Sequence, residues 1–169
     1  RQQPAGSLAV AAASWRGPYV GFSSKGGGAL PGYPVGDRAT YGVEQAMFET
    51  AFQYRGFSWQ QEFHWKTIDD TASETVTDLT GWYAQSGYFF HGLFDWFPRP
   101  LEIGLRAAQV DRDTAREGDL EEEATLVFNW FFSGHSNKLT FDVSRLHDEN
   151  EEAGRRWETR FRIQWDVQF

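Results

Sequence analysis

The chain has 169 residues, a formal net charge of -8 and no cysteine, which rules out disulfides and thiolate metal sites. Its acidity, with a pI near 5.0, argues against general nucleic-acid binding, which wants a basic face. Aromatic residues make up 17% of the chain, yet mean hydropathy is -0.58, and no apolar run approaches the roughly 18 residues of a spanning helix. That pairing suits strands whose greasy and wet faces cancel along the sequence.

Taken in order, Arg1 to Pro4 lead into an Ala-rich run without the charged-then-apolar plan of a secretory leader. An envelope protein is therefore expected to have lost its leader or to be part of something longer. Two weak strands, near Ser7 to Ser14 and Tyr19 to Lys25, meet at Arg16-Gly17-Pro18. Gly26-Gly27-Gly28 has no following Lys-Ser/Thr and no helix to cap, so it reads as a flexible loop.

Tyr41 to Tyr54 alternates in its second half but reads in either phase in its first, so a bulge is expected near Gln45. Arg55-Gly56 is a tight turn into Phe57 to Asp69, where Phe57, Trp59, Phe63 and Trp65 oppose Ser58, Gln60, Glu62, His64 and Lys66. Gly81 to Phe90 follows. Leu101 to Arg112 sets Leu101, Ile103, Leu105 and Ala107 against Glu102, Arg106 and Ala108. Glu122 to Ser133 sends Ala124, Leu126, Phe128, Trp130 and Phe132 to one side. Gly134-His135-Ser136-Asn137 turns the chain into Lys138 to Asp148, with Leu139, Phe141 and Val143 opposed to Lys138, Thr140, Asp142 and Ser144.

Arg155 to Phe169 has the cleanest pattern. Phe161, Ile163, Trp165, Val167 and Phe169 share one parity; Glu158, Arg160, Arg162, Gln164, Asp166 and Gln168 share the other. A period of two with aromatic residues towards the strand ends predicts an all-β, antiparallel transmembrane β-barrel. Short turns at 15–18, 55–56, 91–100 and 134–137 alternate with longer loops at 26–39, 70–80, 113–121 and 149–154. The count is nine strands, or eight if Ser7 to Ser14 is not one. Nine, running back from the last, would start the chain on the long-loop side and suggest a single barrel domain incomplete at its amino-terminal side.

Several runs carry a family likeness. They are Tyr41-Gly42-Val43-Glu44, Arg55-Gly56-Phe57, Gly81-Trp82-Tyr83-Ala84-Gln85 with Gly87-Tyr88, and Leu101-Glu102-Ile103 with Arg106. Asn129-Trp130-Phe131, Gly134-His135 with Asn137-Lys138-Leu139, and Arg160-Phe161-Arg162-Ile163-Gln164 with a closing Phe169 complete the set. In order and spacing they resemble the carboxy-terminal half of the phosphate-selective porin O and P family, from about Tyr41 onward. The resemblance implies a sixteen-stranded, usually trimeric porin of the Gram-negative bacterial outer membrane, with this chain as about half a barrel. It also implies that Phe169 is the signal read by the barrel-assembly machinery.

The alternation places Lys66, Arg106, Lys138, Arg160 and Arg162 on the lumen side, with Glu62, His64, Glu102, Asp142, Glu158 and Asp166. Basic side chains in a narrow pore favour anions, and the guanidinium fork matches phosphate oxygens. Acids interleaved on the same faces equally suit ion pairs that brace the strands. The acidic loops Asp111 to Glu123 and Asp148 to Glu152 lack the ligand spacing of a calcium loop and read as solvated outer loops. His64, His91, His135 and His147 lack metal-ligand spacing, and no catalytic constellation assembles, so neither an enzyme nor a cofactor is expected.

The expected function is passive diffusion of small solutes, with anions preferred and phosphate-like anions among them. Expected partners are outer-membrane lipid and lipopolysaccharide, the assembly machinery, and further copies or other chains that complete the barrel. Two rivals remain. One is a lipocalin-like soluble barrel with Trp59, Trp65, Phe128, Trp130 and Trp165 turned inward. The other is a small or partial barrel that anchors an envelope assembly instead of conducting.

Overall fold

The computed structural model describes residues 3–23, 26–30, 32–134, 136–150 and 154–168. Eight long strands form one antiparallel sheet: β1 (Ala5–Gly17), β4 (Tyr41–Tyr54), β5 (Phe57–Asp70), β6 (Thr75–Tyr88), β7 (Leu101–Asp111), β8 (Leu120–Phe131), β9 (Asn137–Asn150) and β10 (Gly154–Val167). Each pairs with its neighbour in the chain, and β1 and β10 are not paired with each other, so the sheet is an open wall. Between β1 and β4 lies a small separate hairpin, β2 (Gly21–Ser23) with β3 (Gly26–Ala29). Helix is limited to one 3-10 turn at Phe90–Gly92.

The alternation holds in three dimensions because paired residues share a face. One face carries cross-strand ranks such as Phe48 opposite Phe63 and Phe63 opposite Trp82. Another runs from Ile103 through Phe128 and Phe141 to Ile163. Nothing in the fold covers these side chains: Phe48, Phe63 and Trp82 are 38%, 41% and 37% exposed, and Ile163 on the edge strand β10 is 72% exposed. A continuous aromatic face of this extent is intolerable in water and normal against lipid. Trp59, Trp65, Phe128, Trp130 and Trp165 all lie on it by register, opposite the charged face, so the inward-aromatic lipocalin arrangement does not occur.

Five of the strands run to 14 residues, longer than the ~9–11 that a hydrocarbon crossing takes, which leaves room for polar strand ends. That explains why β6 begins at Thr75, not Gly81. Its polar first turn of strand lies beyond the apolar belt, and the β-branched Thr75, Val76 and Thr77 pair with Asp70, Asp69 and Ile68. The loop expected over 70–80 contracts to the turn after Asp70, whose carboxylate accepts bonds from the Ala72 amide (2.9 Å) and the Ser73 hydroxyl (2.8 Å). At the other end Arg55 and Gly56 have φ of 46° and 83°, both in the left-handed region that a two-residue hairpin requires.

Three expectations are corrected. Tyr19 to Lys25 supplies no wall strand: its described part contributes β2 to the small hairpin, while β1 pairs directly with β4 from Ala5 opposite Gln53 to Gly17 opposite Tyr41. The wall therefore has eight strands, and it is Ser7 to Ser14 that belongs to it. The chain then starts beside the Arg55-Gly56 turn, at the same end as β10 finishes, and Arg16-Gly17-Pro18 opens a long connection instead of closing a tight turn. The bulge near Gln45 is absent too, for pairing runs unbroken through Ala46–Trp65, Gln45–Lys66 and Glu44–Thr67.

The reason for that ambiguous phase is the only buried apolar cluster among the described residues. Val20, Tyr41, Val43 and Ile68 are at most 2% exposed, with Trp15, Leu30, Tyr33 and Leu79 packed around them. Tyr41 and Val43 fall on the polar parity of β4, and Ile68 on that of β5. They are apolar because the connection over 18–40 folds down onto this face and covers them. Tyr41 donates to the Pro34 carbonyl at 2.7 Å and meets the Tyr33 ring edge-on at 5.7 Å. Gly36 N–H donates to the Pro18 carbonyl at 2.7 Å, and Leu30 N–H to that of Val20, also at 2.7 Å.

Candidate functional site: the polar face of the wall

Polar-face residues from seven of the eight wall strands, all but β9, converge on a concavity of about 1240 Å³, whose lining includes Gln60, Gln85, Arg106, Thr125 and Arg160. Register explains the convergence. Ser7, Ala51, Gln60, Gln85, Arg106, Thr125, Ser144 and Arg160 are successive cross-strand partners, one from each strand of the sheet. Side-chain hydrogen bonds follow this row. Gln85 donates to Gln60 at 3.0 Å, and Arg106 donates to Gln85 at 3.1 Å. Thr125 and Ser144 hydroxyls lie 2.8 Å apart, and Arg160 reaches the Ser144 hydroxyl at 3.2 Å.

Charges sit directly above and below that row. Glu123 lies 3.8 Å from the Arg106 guanidinium and 3.6 Å from that of Arg160, so a single carboxylate is shared between two cations. Thr125 Oγ1 stands 2.7 Å from the same carboxylate. The Tyr83 hydroxyl donates to Glu62 at 2.5 Å, His64 Nε2 lies 3.0 Å from Glu62, and the Arg106 guanidinium stacks 4.3 Å over the Tyr83 ring. Arg162 donates to Asp142 at 2.7 Å and seals it completely, leaving Asp142 with 0% exposure. Nearer the short turns, Asn129 links Glu102 (2.9 Å) to Thr140 (2.7 Å), and Gly87 leaves the space into which Glu102 projects: a Cβ there would stand 2.6 Å from its Oε1.

All ten proposed lining residues share this face by register: Glu62, His64, Lys66, Glu102, Arg106, Lys138, Asp142, Arg160, Arg162 and Asp166. They are not one site. Arg106, Arg160 and Glu62 gather at mid-wall, with Arg162 and Asp142 beside them. Lys138 and Asp166 form a separate pair at 3.5 Å by the short turns. Lys66 is near the loop end, where Nζ donates to the Gly21 carbonyl at 2.9 Å. Phe169 and His135 lie outside the described residues, as does part of the acidic stretch to Glu152.

Sequence reasoning passed over Glu123, Tyr83, Thr125, Gln60 and Gln85. Part of their signal was available: Gln60 shares the parity of Glu62 and His64, and Glu123 and Thr125 alternate with the outward Ala124 and Leu126, whereas no chosen residue on β6 marked Tyr83 and Gln85. Neutral side chains and a carboxylate beside a loop simply carried no special chemistry when read one strand at a time.

A family model described as phosphate-selective porin O and P matches residues 35–169. The chain belongs to that family. The membership accounts for a wall with one lipid-compatible face and one wet face, and the outer membrane of bacteria is where such porins reside. No curated protein and no solved structure matches the chain.

Proposed function

We propose that this porin wall lines a passive channel for small solutes and that the mid-wall arginines bias it toward anions. The observation that carries the anion preference is the sharing of Glu123 by Arg106 and Arg160 at 3.8 and 3.6 Å. The two guanidiniums divide one carboxylate between them while Glu62 is taken up by the Tyr83 hydroxyl and His64, which supports their meeting a solute anion, and a planar fork suits an oxyanion such as phosphate. Other lining charges are largely spent within the wall, which supports a modest preference over a strict filter. The connection over 18–40, docked on the polar face, narrows the passage at its loop end.

A sheet edge in hydrocarbon leaves backbone groups unpaired at several kcal/mol each. The edges of β1 and β10 therefore take up further strands in the membrane, and a trimer of completed barrels is the arrangement the family implies. Lipid and lipopolysaccharide are the expected surroundings, and the assembly machinery the expected route of insertion. The test is conductance of the detergent-purified chain in a planar bilayer, with reversal potential in a salt gradient. Stable steps with an anion-sided reversal potential are expected. Silence from verifiably folded protein would transfer the assignment to a scaffold that anchors an envelope assembly.

A further inference from the structure

The connection between β6 and β7 is unlike the other described short turns of the wall. Where Arg55-Gly56 suffices between β4 and β5, the chain here spends Phe89 to Pro100 on a compact aromatic knuckle. The 3-10 turn is closed by Leu93 N–H to Phe90 O at 2.9 Å, and the fold continues through Phe97 N–H to Phe94 O at 3.0 Å. Its rings form a chain of contacts. Tyr88 meets Phe90 edge-on at 5.0 Å, Phe90 meets Phe97 at 5.5 Å, Phe97 meets Trp96 at 5.7 Å, and Trp96 meets Phe94 at 6.0 Å.

The two ends of this segment part company. Phe89 turns to the polar side, packs 5.4 Å from Phe131 and with it lines the concavity. Tyr88 is on the opposite, lipid-compatible face, paired with Phe57 and Ile103. Through Tyr88 the knuckle continues the outer aromatic belt beyond the last strand residue. Its tip is left bare: Trp96 is 79% exposed, Leu93 64% and Phe94 46%. None of these three lines the concavity.

We propose that this knuckle is a membrane-interface wedge, with Leu93, Phe94 and Trp96 seated among the lipids of the leaflet that meets the short turns. Continuity with the belt through Tyr88 selects lipid as the occupant. The composition agrees, because Trp favours the headgroup level, and the exposed Asp95 and Arg99 that flank it keep the tip from sinking into hydrocarbon. The wedge fixes the depth of the β6–β7 hairpin and hence the height of Arg106 within the pore. It rests on the porin reading above.

Because the chain has no cysteine, a single thiol can report on it. Leu93→Cys, labelled with a nitrobenzoxadiazole probe in the full chain, is reconstituted into phospholipid vesicles carrying a nitroxide either near the headgroup or deep in the acyl region. Trp96→Cys serves as a second reporter, and Leu126→Cys, on the lipid-compatible face of mid-β8, as the control. The expected result is loss of most emission with the headgroup nitroxide, little loss with the deep one, and protection from aqueous iodide. Quenching of both knuckle probes by iodide alone would overturn the wedge, as would protection from every quencher, which would mean contact with protein. If the Leu126 control also escapes the deep nitroxide, it is the membrane-wall reading that has failed.

Discussion

Lys66 of β5 donates a hydrogen bond to the backbone carbonyl of Gly21 at 2.9 Å, across 45 residues of sequence, and so ties the wall to the connection folded over its polar face. The contact lies beside the apolar cluster of Val20, Tyr41, Val43 and Ile68. A polar latch and a hydrophobic seat thus act on the same segment. Lys66 is therefore a holder of this connection.

Replacing Lys66 by Met removes the latch while keeping the aliphatic stem. Loss of one charge-assisted hydrogen bond should weaken docking by about 1.5–3 kcal/mol. Faster cleavage within 18–40 by added protease and noisier single-channel current are expected, with the wall itself unaffected. Unchanged cleavage would mean that the apolar cluster alone holds the connection.

Glu123→Gln frees both Arg106 and Arg160 from their shared carboxylate. A unit charge ~5 Å from a passing ion in water is worth about 0.8 kcal/mol, of opposite sign for anion and cation, so anion-over-cation permeability should rise about fifteenfold. Arg106→Gln should move the reversal potential the opposite way. An unchanged reversal potential in both variants would show that neither charge faces the permeating ion.

Arg162→Ala strands Asp142, whose fully covered carboxylate accepts from Arg162 at Oδ2 and has no hydrogen-bond partner at Oδ1. An uncompensated buried acceptor costs roughly 1–3 kcal/mol. Urea unfolding of the reconstituted protein should reveal that loss, and adding Asp142→Asn should recover part of it. The double variant measures the coupling directly. Simple additivity of the two single effects would mean that the pair is independent.

Asp119, in the loop between β7 and β8, has its carboxyl pushed up from 3.8, first by burial and then by neighbouring Asp111. A raised folded value means that the folded loop binds the proton more tightly than the unfolded one. Its stabilising share is therefore complete below about 3.8 and is lost as pH climbs through the raised value. Asp119→Asn should melt higher than the parent chain at pH 7, with the gap closing towards pH 4. A constant gap across that range would remove the titration from consideration.

What the sequence determined by itself is the alternation. Phe161, Ile163 and Trp165 against Arg160, Arg162 and Gln164 force a two-faced strand in any register, because a period of two is a property of one strand alone. The lipid-compatible face, the polar face and the tight Arg55-Gly56 turn follow from local chemistry in the same way. The tertiary structure decided which polar side chains meet. That Glu123 lies between Arg106 and Arg160 depends on the register of β7 through β10, to which no single strand is witness. It also decided why Tyr41, Val43 and Ile68 break the polar parity. They are covered by a connection that begins twenty or more residues upstream, and burial by a distant segment leaves no periodic trace in the strand that it covers.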